Sequence, residues 1–170
     1  MKHILEADSI QLAFSGRKIL TDIYIKCETG KITGLLGRNG QGKSCLMRII
    51  YGKLHCEGSV RFDTKYNIEA YKRPDLLLFL PQFSFIPGRL RLQRVFKDFN
   101  LDYSTFAERF PAFGGKEKTR IRHLSGGARR TVEIYLVLKS ESQFTLLDEP
   151  FTHLNPIQIE SLKELMQEVK

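Results

Sequence analysis

The sequence has no tryptophan, only three cysteines and no long apolar run, and each shortage excludes something. Nothing approaches the ~20 consecutive apolar residues that a membrane-spanning helix needs. The start, Met1 to Asp8, carries two acids early and no apolar segment, so it does not read as a secretory signal. Cys27, Cys45 and Cys56 are odd in number and lack metal-ligand spacing, which argues against a disulfide framework or a zinc site and for a reducing, cytoplasmic setting. Internal repeats and low-complexity tracts are absent as well. Acids are also in deficit, 19 against 27 lysines and arginines, giving a net charge of +8. That sign suits nucleic acid, anionic headgroups or phosphorylated ligands. The densest basic runs, Arg89 to Arg94 and Lys116 to Arg130, lack interleaved aromatics. They read first as solvated faces and second as a nucleic-acid surface.

What remains is a chain of 170 residues, 42% hydrophobic, of a size for one compact domain. Its centre is Gly37-Arg38-Asn39-Gly40-Gln41-Gly42-Lys43-Ser44, which fits the phosphate-loop pattern G-x-x-x-x-G-K-[ST]. Lys31 to Leu36 before it reads as a short buried strand, and Cys45 to Ile50 after it as a helix ending near Gly52. The chemistry explains the residue types. Gly40 and Gly42 let backbone N–H groups converge on an anion at a helix start. Lys43 can reach the outer phosphates, and the Ser44 hydroxyl can ligate Mg²⁺.

Around this loop, residues 4–14 and 18–27 read as strands joined at Ser15-Gly16-Arg17. Further strands are expected at Ser59–Phe62, Asp75–Leu80 and Phe144–Leu147. Arg89–Phe99 and Asp102–Phe110 read as helices, followed by breakers at Pro111, Gly114 and Gly115. Leu124-Ser125-Gly126-Gly127 opens a helix to about Lys139; Ser125 is a good N-cap, and the two glycines expose backbone N–H groups. Asn155-Pro156 starts a last helix with Ile159, Leu162, Met166 and Val169 on its apolar face. Asp148 and Glu149 end an apolar strand, where one carboxylate can serve Mg²⁺ and the next can polarise a water.

The order of phosphate loop, Gln82 after a strand, Leu124-Ser125-Gly126-Gly127 and Leu146-Leu147-Asp148-Glu149-Pro150 resembles the ATP-binding cassette (ABC) ATPases over essentially the whole chain. The resemblance implies an α/β phosphate-loop NTPase core of ABC type with an antiparallel β subdomain. The whole chain is then one ABC ATPase domain, with a core of 1–86 and 126–170 and an inserted helical subdomain at about 87–125. It implies ATP and Mg²⁺ as ligands. Phe14, otherwise a core aromatic, matches the residue that stacks on adenine. Gly37, Arg38, Asn39, Gly40, Gln41, Gly42, Lys43, Ser44 and Cys45 match the Walker A region. Ser125, Gly126 and Gly127 match the signature that grips the γ-phosphate bound to a second ABC subunit. Gln82, with Ser44 and Asp148, matches the Mg²⁺ set, Glu149 matches the catalytic base, and Phe151 to Pro156 matches the loop that crosses the dimer interface.

The implied work is ATP-driven closure of a head-to-tail homo- or heterodimer that powers a separate transmembrane transporter subunit, peripheral on the inner face of the cell membrane. Nucleic acid is not the expected partner. The alternatives are a soluble ABC ATPase acting on nucleic acid or the ribosome, and a non-hydrolysing regulatory module. A phosphate-loop kinase or GTPase would not need the Ser125-Gly126-Gly127 signature. The sequence departs from the pattern in several places. It stops at Lys170, before the strand and switch histidine of the family, which reads as a truncated chain with weak hydrolysis. Ala128, Asn155 and Cys45 stand where glutamine or glutamate, aspartate and threonine are usual.

Overall fold

The structure is a computed structural model that describes residues 2–66 and 69–169. It has a mixed α/β fold whose residues divide into two compact units. The first runs to Phe79 and takes in Ser142–Asp148; the second comprises Leu80–Glu141 and Glu149–Val169.

In the first unit, β1 (Ile4–Phe14) and β2 (Arg17–Glu28) form an antiparallel hairpin. Its two-residue turn, Ser15 and Gly16, has positive φ at both positions, which matches the right-handed twist of the strands it joins. β3 (Glu57–Phe62) pairs with the other edge of β1, and β4 (Lys65–Tyr66) pairs with β3, so the sheet order is β2-β1-β3-β4. Alternation in β1, shifted by one residue at an irregularity between Ala7 and Ile10, sends Leu5, Ala7, Ile10 and Leu12 inward. They meet Leu46, Ile49 and Ile50 of α1 (Lys43–Ile50) in one apolar core with Val60, Phe62 and Phe144. β5 (Leu77–Leu80) and β6 (Phe144–Leu147) make a second, two-stranded sheet.

One expectation fails here. Residues 31–38 form no strand, although a buried one was expected at Lys31 to Leu36. Ile32 is 54% exposed and Leu36 94%, and of this run only Leu35 packs partly against the core. Gly34 and Gly37 bring no side chain to a pleated surface, so little packing favours the strand state.

The second unit contains α2 (Leu92–Asp98), α3 (Tyr103–Arg109), α4 (Gly126–Lys139) and α5 (Pro156–Glu168). Phe96, Phe106, Phe110, Phe113 and Tyr135 make its aromatic core, with Phe96 and Phe106 ring centroids 4.8 Å apart. Burial pushes the Tyr135 hydroxyl pKa up. Asp102 caps α3, accepting from the backbone N–H groups of Ser104 and Thr105. Hydrogen bonds from the Ser104 hydroxyl, then from the Thr105 backbone, hold its carboxyl down at about 2. Asn155 caps α5, as its sequence predicts, and Gln158 completes the box reciprocally. The buried residues of α5 are Leu162 and Leu165; Ile159, Met166 and Val169, expected on the apolar face with Leu162, are only half-buried. The segments 88–93 and 117–122 pair antiparallel through backbone bonds, with Leu92 and Ile121 buried and Arg89, Arg91, Arg120 and Arg122 outward. These four arginines lie on the exposed face expected of the two runs, whereas Arg129 is half-buried and Arg130, at the end of the second run, is buried.

Candidate functional site

The phosphate loop belongs to the first unit and ends on the first turn of α1. Gly42 is the N-cap, with φ +84°, and a Cβ there would lie 2.8 Å from Leu20 Cδ2 and 3.0 Å from Ile19 Cγ2. Both the left-handed backbone and the close pass under β2 therefore require glycine. Arg38 N–H donates to Gln41 Oε1 at 2.7 Å, and Gln41 N–H to Arg38 O at 3.3 Å, so the loop braces itself. Lys43 Nζ folds back over it and donates to Gly37 O at 2.6 Å and Arg38 O at 2.9 Å. Arg38, Asn39 and Gly40 are exposed, while Lys43, Ser44 and Cys45 are half-buried. No side chain caps the start of α1, and no acid lies in its first turn. Its leading N–H groups and positive dipole end suit an anion.

Two other candidates share this unit. Asp148 immediately follows β6 and is only 3% exposed, a carboxylate held just past a strand end beside the apolar core. Phe14 ends β1 opposite Arg17 and is 48% exposed, so it is not the core aromatic of the alternative reading. Its free face suits stacking.

The second unit gathers Gln82, Glu149 and the Leu124-Ser125-Gly126-Gly127 segment. Gln82 Nε2 donates to Glu149 Oε2 at 3.0 Å across 67 residues of sequence. Glu149 has φ +46°, a left-handed conformation costly for a residue with a side chain, and such strain gathers at working sites. Ser125 caps α4, accepting from Ala128 N–H at 3.2 Å. Gly127 is forced by packing: a Cβ there would sit 2.8 Å from His153 O and 3.2 Å from Gln158 Oε1. The start of α4 is therefore fitted to the loop before α5, and Thr131 Oγ1 tightens the fit by donating to Gly127 O and accepting from Gln158 Nε2. A cavity of about 410 Å³ opens beside Ser125, lined in part by Phe113, Lys116, Thr119, His123 and Ala128.

Sequence reasoning missed Arg130. It is 5% exposed, and its guanidinium donates to Pro81 O, Glu149 O and Pro150 O at 2.7, 3.1 and 3.2 Å. An arginine three residues past a signature glycine pair looks like part of a basic run. The only signal against that reading was Glu133, one helical turn on, at the spacing of an ion pair.

A glycine loop opening a helix, a strand-end carboxylate and a second glycine-rich helix start define a nucleotide-binding ATPase of the phosphate-loop class. The comparisons narrow that class. The family model for the ABC transporter matches residues 20–152. The lipopolysaccharide export system ATP-binding protein LptB of Haemophilus influenzae is 28% identical over 98% of this chain and 76% of its own length. LptB of Escherichia coli is 30% identical over 98% of this chain and 75% of its own length. Among solved structures, a putative ABC transporter ATP-binding protein from Pyrococcus furiosus superposes with a TM-score of 0.79, at 19% identity, over 98% of this chain and 87% of that one, which shows the fold. The chain belongs to the ABC transporter family, as one of its ATP-binding ATPase subunits. Among the described residues no helix is long and apolar enough to cross a membrane.

Proposed function

We propose that this chain closes on a second ABC subunit around two molecules of ATP and Mg²⁺, and passes that closure to a separate transmembrane subunit at the cytoplasmic face of a membrane. The observation that carries this reading is the pairing of two anion-ready helix starts in one chain, at Gly42 and at Ser125. The family needs both for each nucleotide, one from either subunit.

The roles follow from the chemistry of the side chains. The N–H groups at the start of α1 hold the β- and γ-phosphates, and Lys43 leaves the carbonyls of Gly37 and Arg38 to neutralise them. Phe14 stacks on the adenine. The Ser44 hydroxyl and Asp148 carboxylate are hard oxygen donors from the same unit, a set that fits Mg²⁺. When bound, Mg²⁺ offsets charge on the phosphate oxygens. Glu149 accepts a proton from the attacking water, and Gln82 orients that water. Ser125, Gly126 and Gly127 grip the γ-phosphate held by the other subunit, and Lys116 beside them adds a donor of suitable charge. The span of about 87–125 acts as the helical subdomain that meets the membrane partner. That partner chooses the cargo; LptB, by its name, serves lipopolysaccharide export.

The test is capture of the tagged chain from gently solubilised native membranes. Recovery of a multi-spanning protein in near-equal amount supports the reading. Recovery of ribosomes or nucleic acid alone refutes it.

A further inference from the structure

We infer that Arg130 and Glu133, buried on α4, are positioning residues that set Gln82 and Glu149 against each other. The inference rests on the roles proposed above for that pair. Arg130 spans two chain segments by their backbones. Nη1 holds the carbonyl of Pro81, immediately before Gln82, while Nη2 and Nε hold the carbonyls of Glu149 and Pro150. Glu133, 1% exposed, lies 3.6 Å from Arg130 Nη1 and accepts a hydrogen bond from the Ser84 hydroxyl. Gln82 is therefore fixed from both sides, at Pro81 and at Ser84, by one buried ion pair. Glu149 is held by the same guanidinium in its left-handed conformation.

Fold stability alone does not account for this pair. Burying a cation and an anion removes both from water, and a well-packed apolar pair of similar volume is often as stable or more so. What an apolar pair lacks is a planar fork of donors that ties three carbonyls of two segments to one helix. Lysine, with a single ammonium, cannot reproduce that fork. The outcome of the arrangement is the 3.0 Å contact between Gln82 Nε2 and Glu149 Oε2, two side chains that are otherwise exposed or half-buried.

The experiment compares the parent chain with the Ser84→Ala/Arg130→Met/Glu133→Leu triple variant, which removes the Arg130–Glu133 ion pair and the Ser84 hydroxyl together, and with Arg130→Lys. Three quantities are read: thermal midpoint, ATP turnover resolved into kcat and KM, and the ¹⁵N side-chain amide resonance of Gln82, assigned through Gln82→Asn. Whatever its thermal midpoint, which the loss of a donor to three carbonyls can lower, the triple variant is expected to keep its KM, to lose roughly 10- to 100-fold in kcat, and to shift the Gln82 amide toward its position in Glu149→Ala. Arg130→Lys should fall between parent and triple variant. A lowered thermal midpoint with unchanged kcat and an unmoved Gln82 amide would overturn the inference, leaving the pair a structural one. A parent without turnover would count against the proposed catalytic roles only; the Gln82 amide would still decide the positioning. If the triple variant does not fold, Arg130→Lys gives the same decision.

Discussion

Replacing Gly127 by alanine sets two opposing effects against each other. Alanine is the better helix former, and at the start of α4 that gain is at most about 1 kcal/mol. Against it, the new Cβ would stand 2.8 Å from the backbone oxygen of His153 and 3.2 Å from Gln158 Oε1. A side-chain tip can swing aside, but a carbonyl within a loop capped onto α5 cannot move without the loop. Overpacking of this kind costs about 1–3 kcal/mol, so the net change is a loss of about 1–2 kcal/mol. Urea unfolding reads it as a lower midpoint at unchanged m. The same displacement moves the Ser125-to-Gly127 segment, so ATP turnover should fall while nucleotide affinity, set by the loop in the first unit, stays as it was. A variant more stable than the parent, with full turnover, would refute both the close approach and the role given to the signature.

Other substitutions separate the remaining roles. Phe14→Ala should leave thermal stability near the parent's, since the ring is 48% exposed, yet weaken a fluorescent adenine nucleotide roughly tenfold or more, as loss of one base–aromatic stack does; Phe14→Tyr should restore binding. Lys43→Ala should weaken the same nucleotide by about 10- to 100-fold, the order expected for a lost charge-assisted contact, with an unchanged circular dichroism spectrum. Asp102 has its carboxyl held at about 2, below its unfolded value. Its contribution to α3 is therefore complete above about pH 4 and drains away as the pH falls toward 2. Asp102→Asn, which still caps, should remove that acid dependence while keeping amide-exchange protection in Tyr103–Arg109 near the parent's at pH 7.

Local chemistry made much of this molecule legible from its residues. The glycine-lysine-serine spacing located α1, the Asn155-Pro156 pair located α5, and the Ser125 cap located α4, because capping and turn preferences act over three or four residues. The hairpin turn at Ser15-Gly16 was legible for the same reason. The misreadings involve partners distant in sequence. Leu35 and Leu36 look like strand interior, but a strand needs a ladder, and no local pattern says whether one arrives. Met166 and Val169 lost their expected burial to Leu165 because helix rotation is fixed by the surface opposite. Arg130 takes its meaning from carbonyls 19, 20 and 49 residues away, and the fit of Gly127 to the carbonyl of His153 is of the same kind.

The central claim, a nucleotide site completed by a second subunit, is tested most directly by the mass of Glu149→Gln in solution with ATP and Mg²⁺. Sedimentation should give twice the 19.6 kDa of the chain in ATP and a single copy in ADP, because the variant holds the nucleotide without consuming it. A variant that saturates with ATP and stays at 19.6 kDa at every concentration would contradict the account.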